Sequence, residues 1–211
     1  MVASVASVEP PSRVAALGFS VHTGWAALVA VSRSGGGLSV LDRRRVDMLP
    51  GPPTPRQDTY PYVFHAAREL PLAEAERFVR KAEDEARATA RKALEATVEH
   101  LRIGGHRVGM TAIITAREGP RRPLEEILQS HTLVHAAEGA MFRATIRGAS
   151  EDLGLGVFQV PAPELVQRAA RALGLRKDEV PEFLTKVGRP LGPPWTADHK
   201  AATLAAFLAL S

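Results

Sequence analysis

The 211-residue chain has no cysteine. That excludes a disulfide framework, a thiolate metal site and a thiol nucleophile. It also lacks a membrane-length apolar run. The longest mostly apolar stretch, Ala201 to Leu210, is ten residues, whereas a helical span needs about 20. Residues 1–12 are small and polar, with neither a basic start nor an apolar centre, so they read as a tail and not as a signal peptide. No membrane association and a cytoplasmic location are expected. Aromatic residues are only 5% of the chain, and lysine is scarce: arginine supplies 22 of the 27 cations. Against 23 acids the excess is 27 − 23 = +4, short of the dense basic stripe that dominates nucleic-acid binding. The chemistry is left to carboxylates, histidines, hydroxyls and arginines. The length suits one domain, residues 13–211, able to bury a core without staples.

The apolar period sets the organisation. Val14–Phe19 and Trp25–Val31 read as strands joined by a turn, Ser20-Val21-His22-Thr23-Gly24. A second turn, Ser34-Gly35-Gly36-Gly37, leads to Leu38–Leu49, whose apolar residues alternate, completing a three-stranded meander. Five prolines between Pro50 and Pro61 make an extended loop. From Pro71 to about Arg102, small and apolar residues recur at helical spacing, so a helix of roughly 45 Å is predicted. Its alanine-lined face permits close helix approach and points to a homodimer through 71–102. Arg107–Ala116 is a fourth strand, Pro123–Ala149 a second long helix and Leu155–Val160 a fifth strand. Helices over Pro161–Leu173, Asp178–Val187 and Thr196–Leu210 follow. The order β-β-β-α-β-α-β-α-(α)-α implies an α/β fold: a mixed five-stranded sheet with helices on both faces.

Three places carry candidate chemistry. On the second long helix, treated as continuous from Leu124, His131, His135 and Glu138 fall within the apolar face. Buried polar groups need partners, a metal or a wet cleft, and two histidines at i and i+4 have metal-ligand spacing. Buried hydrogen bonds explain them equally well. Asp198 opens the last helix on a face of small residues (Ala201, Ala202, Ala205), as a site carboxylate or as a complement to the helix dipole. Ser20 and His22 sit where the first strand meets a loop, a place ligands favour in α/β sheets; a serine near a histidine suggests a nucleophile. Glu118, past the fourth strand, and Asp42 are further carboxylates. Arg43, Arg44 and Arg45 alternate across a strand and read as edge protection.

The opening Ala16-Leu17-Gly18-Phe19-Ser20, then Thr23-Gly24-Trp25 and an apolar strand, resembles the RuvC-like (Holliday-junction resolvase) branch of the ribonuclease H-like superfamily. Asp198 followed by Ala201-Ala202 and Ala205-Ala206 resembles its closing helix. The resemblance implies a ribonuclease H-like fold, Mg²⁺ or Mn²⁺ held by carboxylates, and phosphodiester hydrolysis in DNA or RNA. Ser20 stands where the family carries its first metal-binding aspartate, and Ala116 where a fourth-strand acid is expected. Asp198 matches best. The stretches His135–Gly139 and Gly192–Trp195 resemble uncharacterised bacterial proteins. Two readings therefore compete. One is a metal-dependent nuclease with a relocated site at Glu138, Asp198 and His135. The other is a non-catalytic binding or assembly module that has lost the metal site. A kinase-like module, suggested by the Ser/Thr/Gly turn, lacks a second phosphate loop.

Overall fold

The computed structural model describes residues 13–34, 37–49, 63–116, 120 and 122–210. The tail at 1–12, Glu118 and the whole proline-rich loop lie outside the described residues. The strands are β1 (Arg13–His22), β2 (Trp25–Ser34), β3 (Gly37–Asp47), β4 (His106–Thr115) and β5 (Gly156–Pro161). They form one sheet in the order β3-β2-β1-β4-β5. The first three make the expected antiparallel meander, while β4 pairs parallel to β1 and β5 parallel to β4. Thr23-Gly24 is the hairpin turn between His22 and Trp25, and Gly24 takes φ 77°, a conformation costly for a residue with a Cβ.

Among the described residues the α-helices are α1 (Val63–Ala67), α2 (Leu72–Ile103), α3 (Leu124–Gln129), α4 (His131–Asp152), α5 (Ala162–Leu173), α6 (Val180–Gly188) and α7 (Ala197–Ala209). Strand alternation sorts them. Ala15, Leu17 and Phe19 point into the larger core, against α1, α2 and α4. Ala112 and Val160 point the other way, into a core with α5, α6 and α7. Thus α4 and α7 lie on opposite faces of the sheet.

The long helix is present at 32 residues. Its small-residue face is used within the chain. Ala75, Ala82, Ala86 and Ala90 are buried against the larger core, and Gly148 of α4 lies directly under the Arg87 guanidinium of α2. The close approach that pointed to a dimer seam is to α4 of the same chain.

Two elements differ from the sequence reading. The helix over Pro123–Ala149 is two helices. Ser130 adopts an extended conformation, φ −123° and ψ 119°, and its side chain accepts from the Leu133 amide. A serine offers the backbone this alternative to helix continuation and so caps α4. The break leaves His131, His135 and Glu138 on one face of α4, at i, i+4 and i+7; Glu138 is buried, whereas His131 and His135, in the first turns of the helix, are exposed. The short α1 was not anticipated; five residues are too few to show a period.

Candidate functional site

On the α7 face, Gly18 decides where the last helix sits. A Cβ there would lie 1.9 Å from the Ala202 carbonyl oxygen and 2.8 Å from the Ala206 amide. Without it, the α7 backbone rests on β1. The next positions on that face, Ser20 and His22, then meet the first turn of α7. Ser20 Oγ donates to Asp198 Oδ1 at 2.8 Å, and His22 Nε2 lies 2.7 Å from the same oxygen.

Burial raises the Asp198 carboxyl, but the hydrogen bonds from His22 and Ser20 and the charges of His22 and His199 outweigh it and hold the group below the usual aspartate range. The contact order is serine–aspartate–histidine. A nucleophilic serine needs the histidine as its direct base, and among the described residues no hydrogen bond joins Ser20 to His22. The arrangement is a clasp on one carboxylate.

The surroundings stiffen the clasp. The His22 ring stacks on Trp25 with centroids 4.3 Å apart and planes 8° from parallel, and the Arg45 guanidinium lies 4.1 Å from the Trp25 ring centroid. Arg45 also pairs with Asp47 at 2.7 Å. Thr196 caps α7, accepting from the His199 amide, while His199 Nδ1 accepts from the Thr196 amide at 3.2 Å. Desolvation, together with the nearby Arg43 charge, lowers the His199 pKa, which suits an acceptor nitrogen. Arg43 reaches from β3 to the loop before α7. Its Nη1 donates to Gly192 O at 2.8 Å and Pro194 O at 2.5 Å, and its Nη2 to Leu191 O at 3.1 Å and Pro193 O at 3.0 Å. Arg43 is thus a tether as well as an edge residue, whereas Arg44 pairs with Asp42 at 2.5 Å.

On the opposite face, Glu138 is 1% exposed. Its Oε1 accepts from the Phe64 amide at 2.8 Å, so a buried carboxylate caps the start of α1. Desolvation raises its pKa; the backbone amides of Phe64, His65 and Val63 and the charge of His135 oppose the rise without cancelling it. Three imidazoles gather beside it, from His65 on α1 and from His131 and His135 on α4. Ring centroids are 4.4 Å apart for His131–His135, 4.7 Å for His65–His135 and 5.5 Å for His65–His131. His65 Nδ1 is 3.6 Å from Glu138 Oε1.

The structure therefore brings Ser20, His22 and Asp198 together, and separately His131, His135 and Glu138. It does not join the two groups. The single metal site expected from Glu138, His135 and Asp198 is divided by the sheet, because α4 and α7 pack on opposite faces. Three contributors were missed. In the sequence Trp25 stands out only as the start of a strand and as part of the Thr23-Gly24-Trp25 resemblance, and Arg43 only as an edge guard. His65 lies 66 positions before His131, and no spacing rule links them.

By sequence, no family model and no curated protein matches the chain. Solved structures do. Thermus thermophilus RuvC is similar at 15% identity over 91% of this chain and 90% of its own, with TM-score 0.48. T. thermophilus RuvC in complex with a Holliday junction substrate is similar at 14% identity over 92% and 90%, with TM-score 0.52. The fold is RuvC-like: a mixed five-stranded α/β sheet with helices on both faces. Among the described residues no helix is long and apolar enough to cross a membrane.

Proposed function

We propose that the protein is a nucleic-acid-binding module of this fold that does not hydrolyse phosphodiesters by the two-metal route. The observation that carries this reading is the clasp on Asp198. Two-metal hydrolysis needs hard oxygen ligands grouped around adjacent cations. Here the position of the first strand's metal-binding aspartate holds Ser20, whose hydroxyl donates to Asp198. The position expected for the fourth-strand acid holds Ala116. Among the described residues this site holds one carboxylate, and, engaged by two protein donors, it is a poor base for a pair of divalent ions. The described residues do not fit the Mg²⁺ or Mn²⁺ pair that the fold implies, and no reaction step is assigned to one.

Support for nucleic acid comes from the same end of β1. Arg45, Trp25 and His22 form a partly exposed stack of a guanidinium and two aromatic rings beside the clasp. Such stacks suit unpaired bases and the phosphates next to them. The solved relative of this fold that carries a Holliday junction substrate makes branched DNA the first ligand to try.

The test is fluorescence anisotropy with four-way-junction, duplex and single-stranded DNA and with RNA across a salt series, beside a cleavage panel in Mg²⁺ and Mn²⁺. Expected are salt-dependent binding weakened by Trp25→Ala and by Arg45→Ala, and no cleavage. Cleavage by the parent that Asp198→Asn abolishes would establish the metal-dependent nuclease instead. Absence of binding to every substrate would sink both readings.

A further inference from the structure

The histidine cluster on the α4 face serves neither the clasp nor the proposed nucleic-acid surface, and its explanation is independent of them. We propose that His65, His131 and His135 bind one divalent transition-metal ion of the zinc class, fastening α1 to the first turns of α4.

Each of the three residues offers a ring nitrogen, and these atoms lie within 4.8 Å of one another. In a tetrahedral site with zinc–nitrogen bonds of about 2.0–2.1 Å, ligand nitrogens stand about 3.4 Å apart. The difference is within reach of side-chain rotation. The rings meet at 65–84°, edge to face, as ligands fanned around one ion do. Packing does not demand this gathering, because His131 and His135 are exposed and water would solvate each of them separately.

Two positions are fixed by the backbone. His131 and His135 are one turn apart at the start of α4, downstream of the Ser130 cap. His65 is carried by α1, which is seated by buried Val63, Phe64 and Ala67 and by the Glu138 carboxylate at its first turn. That carboxylate oxygen lies 3.6 Å from His65 Nδ1, beyond hydrogen-bond reach, so its influence on the imidazole is electrostatic. It also supplies negative charge beside the cation. Arg68 adds a positive charge near His65, which the carboxylate opposes.

The donor set chooses the ion. Imidazole nitrogens suit zinc, copper, nickel and cobalt, whereas Mg²⁺ asks for oxygens and near-octahedral geometry. Three protein ligands leave one position open on the solvent side, for water or a ligand atom.

The experiment uses the full chain without a polyhistidine tag. Zn²⁺ is titrated calorimetrically, and Co²⁺ is followed by the visible absorption that a four-coordinate ion develops. The parent should take one ion per chain, and thermal unfolding should shift upward with Zn²⁺ but not with Mg²⁺. His131→Ala and His135→Ala, both at exposed positions, should each weaken Zn²⁺ binding by at least about 100-fold and abolish the shift. His100→Ala, exposed on α2, should leave both unchanged. A parent that takes up no Zn²⁺ would overturn the proposal. So would uptake that survives in the two folded α4 variants, folding being checked by circular dichroism.

Discussion

Replacing Gly18 by alanine tests how closely the site depends on one missing side chain. The new Cβ would stand 1.9 Å from Ala202 O and 2.8 Å from Ala206 N. To reach an ordinary carbon–oxygen contact of about 3.4 Å, α7 must retreat by roughly 1.5 Å (3.4 − 1.9). Both clashing atoms are backbone, so no rotamer change relieves the overlap. Overpacking costs about 1–3 kcal/mol when side chains can yield; with backbone as the obstacle, about 3 kcal/mol or more is expected. For a chain of this size that is a fall in Tm of about 6–12 °C.

Gly156→Ala supplies the comparison. There the Cβ would meet Met110 Sδ at 2.4 Å and Cε at 3.2 Å, the far end of a flexible side chain that can swing aside. Its cost should be about 1 kcal/mol or less. Urea unfolding of both variants, with equal m-values, measures the difference. Equal costs for the two variants, or a cost below about 1 kcal/mol for Gly18→Ala, would refute the reasoning. It would mean that α7 is not seated on β1 as described.

Arg43→Met should loosen the loop before α7. It removes donors from four carbonyls at about 2–4 kcal/mol in a partly solvated site, and Arg43→Lys should not rescue it, since an ammonium lacks the planar fork; urea unfolding of both reads this. Ala86→Leu, at a fully buried position of α2, should destabilise by about 1–3 kcal/mol and leave the sedimentation behaviour of the folded protein unchanged, because the face is filled within the chain. Asp198→Asn should change the pH dependence of stability. The folded-state carboxyl is lowered, so its contribution is present above the unfolded value of about 3.9 and lost as pH falls through the folded value. The parent's advantage over Asp198→Asn in Tm should therefore be seen at neutral pH and disappear on acidification; an advantage that grows on acidification would contradict the clasp.

The mixed five-stranded sheet and the long α2 were legible because the strands' apolar runs and the helical period extend over enough residues to be read. The break at Ser130 was not, because a single capping serine leaves the apolar pattern on both sides nearly in phase. His131 and His135 do share the face of Glu138, but they sit in the first turns of α4, where that face is exposed; only Glu138 is buried. Ser20, His22 and Asp198 were each singled out, and the fold joins them across 176 to 178 positions. Their partnership depends on Gly18, whose role is visible only when the helix lies against it. Arg43 presents the same difficulty: a row of three arginines gives no sign that one of them will hold four carbonyls. His65 had no visible partner, since α1 is too short to announce itself.

The clasp also explains why a serine at position 20 is self-consistent. Two carboxylates at positions 20 and 198, sharing one pocket without cations, would repel, and one would be driven to take up a proton. A serine removes that repulsion and supplies a donor in the same place. His22 then adds a second donor from the next position on the strand face. Asp198 is thereby satisfied by the protein itself, with its charge maintained at neutral pH. Ser20→Asp puts this argument at risk. If the site is adapted to hold one carboxylate without metal, Ser20→Asp should lower Tm in metal-free buffer, and Mg²⁺ or Mn²⁺ should restore part of the loss by screening the pair. Unchanged stability in metal-free buffer would mean that the pocket already tolerates two charges. The hydroxyl of Ser20 would then not be what balances Asp198.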